Sequence, residues 1–180
     1  MALKLLGISG SLRRQSCNTG LLRAAQKQLP DDTALEIADL SDVPFYNADI
    51  IKPSAVSRVL AQIKTADALV FACPEYNYSI APALKNILDW ASREPENALL
   101  SDKAVAIMGA GGGMGTSRSQ YHLRQVCIFL NLHPLNKPEV FSNAFTGAFD
   151  ADGNLTDAKL IQLVADQMRA FVNWTHRIKD

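Results

Sequence analysis

Cysteine is scarce in this chain. Cys17, Cys73 and Cys127 are scattered, with no C-x-x-C pair and no even framework. That excludes a disulfide scaffold and points to the cytoplasm. Neither sign of charge is in excess: Lys plus Arg and Asp plus Glu number 18 each, where a nucleic-acid partner would want a basic surplus. No apolar stretch approaches the length that spans a bilayer, so no membrane partner is expected. The N-terminal MALKLLGISG lacks a long apolar region with a small-residue cleavage site, and it reads as a core strand rather than a signal peptide. None of the histidines has metal-ligand spacing, so no metal site is expected and His122 and His133 read as structural. Repeats, low-complexity tracts and linkers are also missing, which leaves residues 1–180 as one domain with one core.

What is present is concentrated first in residues 3–20, LKLLGISGSLRRQSCNTG. Leu3, Leu5, Leu6 and Ile8 read as a buried strand that breaks at Gly10. A stretch of hydroxyls, arginines and an asparagine follows, and then a helix with Leu21, Leu22, Ala25 and Leu29 on one face. Strand, polar loop and helix start together hold a phosphate well, because the first N–H groups of a helix have no internal partner and the helix dipole is positive there. The competing reading makes Ser and Asn simple helix caps. The stretch is not a Walker loop, since no Gly-Lys-Ser/Thr closes it, and Gly7 and Gly10 are wrongly spaced for a dinucleotide fingerprint.

Downstream, Ala34 to Ala38 reads as a second strand, and Val56, Val59, Leu60 and Ile63 mark a helix. The run ALVFAC at 68–73 has no alternation, as expected of a strand covered on both faces. It ends in PEYNYS at 74–79, followed by a helix with Pro82 in its first turn and Leu84, Ile87, Leu88 and Ala91 on its apolar face. Ala104 to Met108 forms a strand that runs into a glycine stretch at 109–115, then a helix carrying Leu123, Val126, Cys127 and Leu130. A fifth strand is expected between Leu135 and Phe141, and a last helix from Leu160 to near His176. Five strands alternating with five helices, joined by right-handed crossovers, give a parallel sheet with helices on both faces, an α/β three-layer sandwich, for which the strand order 2-1-3-4-5 is expected. The elaborate loops follow strands one, three and four, at the switch point where such sheets bind ligands.

Those loops together suit a phosphorylated, planar cofactor. Loop one offers phosphate donors, loop three two tyrosines and an asparagine, and loop four a glycine wall that lets the backbone approach a flat ring. FMN fits this description. Gly10-Ser-Leu-Arg13, Ser16, Asn18, PEYNYS, Leu84-Lys-Asn86 and Asp89-Trp90 occur in this order over nearly the whole chain. In this the sequence resembles the NADPH-dependent FMN reductase family, of flavodoxin-like fold. Gln120-Tyr-His-Leu-Arg-Gln125 is similar to its quinone and chromate reductase branch.

The resemblance implies phosphate-binding positions at Ser11, Arg13, Ser16, Asn18 and Thr19, with Cys17 among them at the helix start. It implies a flavin-side loop of Pro74, Glu75, Tyr76, Asn77 and Tyr78. Gly109, Ala110 and Gly111 correspond to the third wall, where Ala110 replaces a frequent hydroxyl and leaves only a backbone contact. The implied chemistry is hydride transfer from NADPH or NADH to FMN and then to a quinone, azo compound, free flavin or chromate, with no catalytic side chain required. Loop-three N–H groups at the ring edge would stabilise its reduced form. Similar proteins act as homodimers or homotetramers, and the third and fourth helices, with Trp90 and Tyr121 to Gln125, are the candidate interface. Glu75 either tunes the ring or caps the next helix. Arg118 and Arg124 meet a second phosphate on NADPH or form ordinary ion pairs. Trp90 and Phe129 suit core or subunit contacts, and Asp39 a turn. The rival readings are a flavodoxin-type electron carrier, which tends to be strongly acidic, a nicotinamide-binding fold using Asp39, and a non-catalytic flavin-binding module.

Overall fold

The computed structural model describes residues 2–179. Strand β1 (Leu3–Ser9) pairs in parallel with β2 (Thr33–Ile37) on one side and β3 (Ala68–Ala72) on the other. Strand β3 then pairs with the long β6 (Ala104–Gly111), also in parallel. The central strands β3 and β6 are apolar at successive positions because both faces are covered, whereas the edge strand β2 exposes Glu36. Ala68, Val70 and Ala72 of β3 face one cluster, with Leu21, Leu22 and Ala25 of α1 (Cys17–Lys27) and Val164, Met168 and Phe171 of α5 (Ala158–Lys179). Leu69 and Phe71 face the other cluster. Its helical side chains come from α2 (Ser54–Thr65), α3 (Pro82–Ala91) and α4 (Ser117–Phe129). The alanine-rich face of β3 and β6 leaves room for Met168 and Phe171, a difference of side-chain volume that close packing requires.

The order 2-1-3-4-5 holds, with two differences from the expected elements. The expected fifth strand is two short ones, β7 (His133–Pro134) and β8 (Val140–Asn143). Strand β7 pairs with the start of β6 and β8 with its end, both in parallel, so the sheet has six strands. The break has a chemical cause. Pro138 has no N–H to give the ladder, and its carbonyl accepts instead from Gln167 Nε2 at 2.9 Å. A second difference lies in loop three, where β4 (Glu75–Tyr76) and β5 (Ser79–Ile80) form a small antiparallel hairpin. Two-residue strands leave no period to read in a sequence.

Among the described residues no helix is long and apolar enough to cross a membrane, and no group of three His, Cys, Asp or Glu could hold a metal.

Candidate functional site

Loops leaving β1, β3, β6 and β8 meet at the carboxyl ends of the strands and enclose a cavity of about 420 Å³. That size lies within the roughly 300–1,000 Å³ of small-molecule sites. Its polar end is the start of α1. Ser16 is the N-cap, and its Oγ accepts the Thr19 N–H at 3.2 Å while its carbonyl takes that of Gly20 at 2.8 Å. The N–H groups of Cys17 and Asn18, both on the cavity wall, remain for a ligand. No acidic residue in the first turn quenches the dipole. Ser11, Arg13 and Gln15 complete this end. Among the described residues the Arg13 guanidinium reaches only the Gln15 carbonyl, at 3.4 Å, and can turn to an anion.

Two residues of this group act differently from the expectation. Asn18 is buried, and its carboxamide grips the backbone of Ala110: Nδ2 donates to the carbonyl at 2.8 Å, and Oδ1 accepts the N–H at 3.0 Å. Its side chain thus fastens α1 to the end of β6, and what it turns to the cavity is chiefly backbone. Thr19 does not line the cavity. Its hydroxyl donates to Ser9 Oγ at 3.2 Å, and Ser9 Oγ in turn accepts the Ser11 N–H at 3.2 Å. Thr19 therefore braces the loop that carries Ser11.

Pro74, Glu75, Tyr76, Ala110, Gly111 and Gly112 form the opposite walls. Gly109 stands behind them, outside the cavity. A Cβ there would fall 1.9 Å from Thr116 Oγ1 and 2.5 Å from the Cys73 carbonyl, so its role is close packing. Gly112 is the reverse case, since a Cβ on it would meet nothing within 4 Å and point into open space. Asn77 and Tyr78 sit at the hairpin tip, off the cavity wall, both in the left-handed region at φ 51° and 68°. Ala144, Phe145, Phe149, Asp150 and Ala151, after β8, were not anticipated as lining residues. The available signal was a pair of phenylalanines inside a turn-rich segment, and Phe145 is indeed 82% exposed. The Asp150 carboxylate is turned into its own loop, where it accepts from the N–H groups of Asp152 and Asn154 and from Asn154 Nδ2. Hydrogen bonds from Asn154 and Asp152, with Arg23 nearby, hold its pKa below the usual carboxylate value.

Glu75 is a cap, though for α4 rather than for α3, the helix that follows it. Its Oε2 accepts the N–H groups of Arg118 and Ser119 at 3.1 and 3.2 Å, and its Oε1 accepts from Arg118 Nε at 2.7 Å. Arg118 also lies on the Tyr78 ring, its Cζ 3.6 Å from the centroid. The hydrogen bond and charge of Glu75 raise the Arg118 pKa further. Arg124 binds the Leu135 carbonyl at 3.0 Å and Asn136 Oδ1 at 3.3 Å. Both arginines are thus engaged within the chain. Asp39 is the turn residue expected of it, its Oδ1 accepting the Ser41 N–H at 2.9 Å.

A second cavity, of about 500 Å³, lies between α3 and α4. Its lining includes Lys85, Asp89, Arg93, His122 and Phe129, and the Lys85–Asp89 pair neutralises itself at 2.6 Å. It has no glycine wall and no helix start, the two features of the 420 Å³ cavity that suit a phosphorylated planar ligand. Tyr121, Ile128 and Phe129 are exposed on the α4 side, whereas Trp90 is only 4% exposed and belongs to the core. Its Nε1 donates to the Pro44 carbonyl at 2.9 Å, which removes Trp90 from the candidate interface.

A family model described as NADPH-dependent FMN reductase matches residues 3–147. The chain belongs to this family. It is an oxidoreductase that depends on FMN and NAD(P)H. An NAD(P)H-dependent FMN reductase of Pseudomonas aeruginosa is 50% identical over 181 residues, covering 98% of this chain and 97% of the other. An NAD(P)H:quinone oxidoreductase of Solanum tuberosum is 49% identical, covering 89% of this chain and 86% of its own length. Among solved structures, FerB, a flavoenzyme NAD(P)H:(acceptor) oxidoreductase of Paracoccus denitrificans, superposes with a TM-score of 0.87 at 29% identity. That match covers 97% of this chain and 98% of FerB. The cavity fits the family's cofactor: one end has unpaired helix N–H groups and an arginine for a phosphate, and the other has a Gly112 wall open to a flat ring.

Proposed function

We propose that the 420 Å³ cavity is the FMN site and that electron donor and acceptor use it in turn. The observation that carries this is the joining of the α1 start to a glycine wall in one space at the carboxyl ends of the strands. Ser11, Arg13, Ser16 and the N–H groups of Cys17 and Asn18 hold the phosphate. Pro74, Glu75 and Tyr76 form one wall of the ring site, with Asn77 and Tyr78 at its rim. Ala110, Gly111 and Gly112 form the other. FMN, when bound, supplies the chemistry of accepting a hydride from NAD(P)H and passing electrons onward. The chain binds and orients the ring, and the loop-three backbone offers N–H dipoles to its edge.

The acceptor is a small flat molecule of the quinone class. The names of the Solanum tuberosum relative and of an Escherichia coli quinone reductase 33% identical to this chain support that class. Azo compounds, free flavin and chromate are further acceptors of the same open face. The protein works in the cytoplasm as a homodimer or homotetramer, and the exposed apolar residues of α4 are the face that pairs. Sedimentation as an active monomer would remove the last point.

Anaerobic NADPH added to the FMN-loaded protein should bleach the flavin absorbance, and a quinone should restore it. Persistent colour would overturn the enzymatic cycle. The site itself is tested by Gly112→Trp, whose side chain enters open space without disturbing the backbone. This variant should fold normally and lose FMN binding.

A further inference from the structure

The hairpin at 75–80 is held in a conformation its sequence does not favour. Both turn residues are left-handed, Asn77 at φ 51° and Tyr78 at φ 68°. Turns of this kind prefer Asn-Gly, since a Cβ in the left-handed region crowds the following carbonyl. Asparagine tolerates the first position, and tyrosine is disfavoured at the second. A residue kept in such a conformation must be held there by its surroundings.

The surroundings form a closed chain of contacts. Glu75, at the base of the hairpin, has a side chain only 6% exposed. Its Oε2 is fixed by the α4 N–H groups of Arg118 and Ser119, and its Oε1 fixes the Arg118 guanidinium through Nε at 2.7 Å. That guanidinium lies over the Tyr78 ring at the tip, its Cζ 3.6 Å from the centroid. The carboxylate at the root of the hairpin therefore fixes the cation that holds down its tip. Stacking of a guanidinium on an aromatic face is attractive.

We propose that Arg118 is a positioning residue for the cofactor: held by Glu75 and stacked on Tyr78, it locks the Asn77–Tyr78 turn in its left-handed form and so presets the loop-three wall of the FMN site. This rests on the reading that the wall faces the flavin. Without the lock, the turn relaxes for part of the time, and apparent affinity falls in proportion to the fraction still competent. The engagement of Arg118 also accounts for a cation beside the cavity that is not free to meet a second phosphate on the donor.

The test is FMN affinity of the apoprotein, measured by quenching of flavin fluorescence. Arg118→Ala should bind FMN roughly tenfold more weakly, as for a wall competent about one-tenth of the time. Adding Tyr78→Gly to that variant removes the steric penalty the lock opposes, and it should restore affinity to within about threefold of the starting protein. Such a rescue is not available to a residue that merely supports the fold or touches the ligand. Unchanged affinity in Arg118→Ala, or a double variant as weak as the single one, overturns the lock. Gly112→Trp separates this from the site reading. If it binds FMN normally the cavity is not the site, and if it abolishes binding while Arg118→Ala has no effect, only the lock fails.

Discussion

At the scale of single residues, polar side chains near the cavity divide into those that hold the ligand and those that hold the protein in shape. Asn18 shows why the division matters. Its carboxamide satisfies both backbone groups of Ala110, a strand end that would otherwise be buried with an unpaired donor and acceptor. Asn18→Ala should lower unfolding stability by roughly 1–3 kcal/mol, the cost of a buried polar group left without a partner, as measured by urea denaturation of the apoprotein. Asn18→Asp should fall in the same direction, because a carboxylate accepts the Ala110 N–H and repels the carbonyl. The cysteines divide in a similar way. Burial pushes the Cys73 thiol up to about 11 and the Cys127 thiol up to about 12, so both stay protonated and inert in the core. Cys17 is the half-exposed one, on the cavity wall.

At the scale of elements, the Lys85-Asn86 and Asp89-Trp90 part of the family motif anchors a loop. Asn86 Oδ1 accepts the Tyr46 N–H at 2.7 Å, and its Nδ2 donates to the Pro44 carbonyl at 2.8 Å. Trp90 donates to the same carbonyl and meets the Tyr46 ring edge-on at 5.0 Å. Lys85 and Asp89 pair one turn apart on the outer side of α3. The motif thus ties the long connection between β2 and α2 onto α3 at Pro44 and Tyr46, neither of which lines the 420 Å³ cavity. Asn86→Leu should open that connection to protease cleavage within residues 41–52 while leaving FMN affinity within about twofold of normal. A large loss of FMN affinity would instead place the connection in the binding site. The split fifth strand shows the same economy, since Gln167 from α5 reaches both Ile107 and Pro138 carbonyls where the ladder is interrupted.

At the scale of the whole molecule, a single aspartate ties the first strand to the last helix. Asp67 accepts the Lys4 N–H at 2.8 Å and the Lys179 ammonium at 2.5 Å. Burial alone would raise its pKa, but the bonds to Lys179 and Lys4 outweigh that and leave it lowered. Asp39 and Asp150 are lowered too, mainly by hydrogen bonds from Ser41 and Asn154 respectively. A carboxyl lowered in the folded state contributes stability above its unfolded value of about 3.9, and that contribution is lost as pH falls through the folded value. Urea midpoints should therefore be flat near neutrality and drop below about pH 4. Asp67→Asn should be less stable at neutral pH and show a shallower acid drop.

The layered fold was legible in the sequence, because strands covered on both faces must be apolar throughout. ALVFAC at 68–73 has no other economical reading. The three principal loops were legible because hydroxyls, glycines and PEYNYS cluster at strand ends. Only the tertiary structure decided which of those residues face the ligand. Asn18 and Thr19 carry the same donor groups as Ser11, and their partners at Ala110 and Ser9 are set by packing. The fourth loop, with Phe145 and Phe149, joins the site because β8 runs parallel to the end of β6. The pairing of Glu75 with Arg118 spans 43 residues of sequence. Local composition cannot encode such a separation, which the chain reaches only when β3 and β6 lie side by side and bring their following loops into contact.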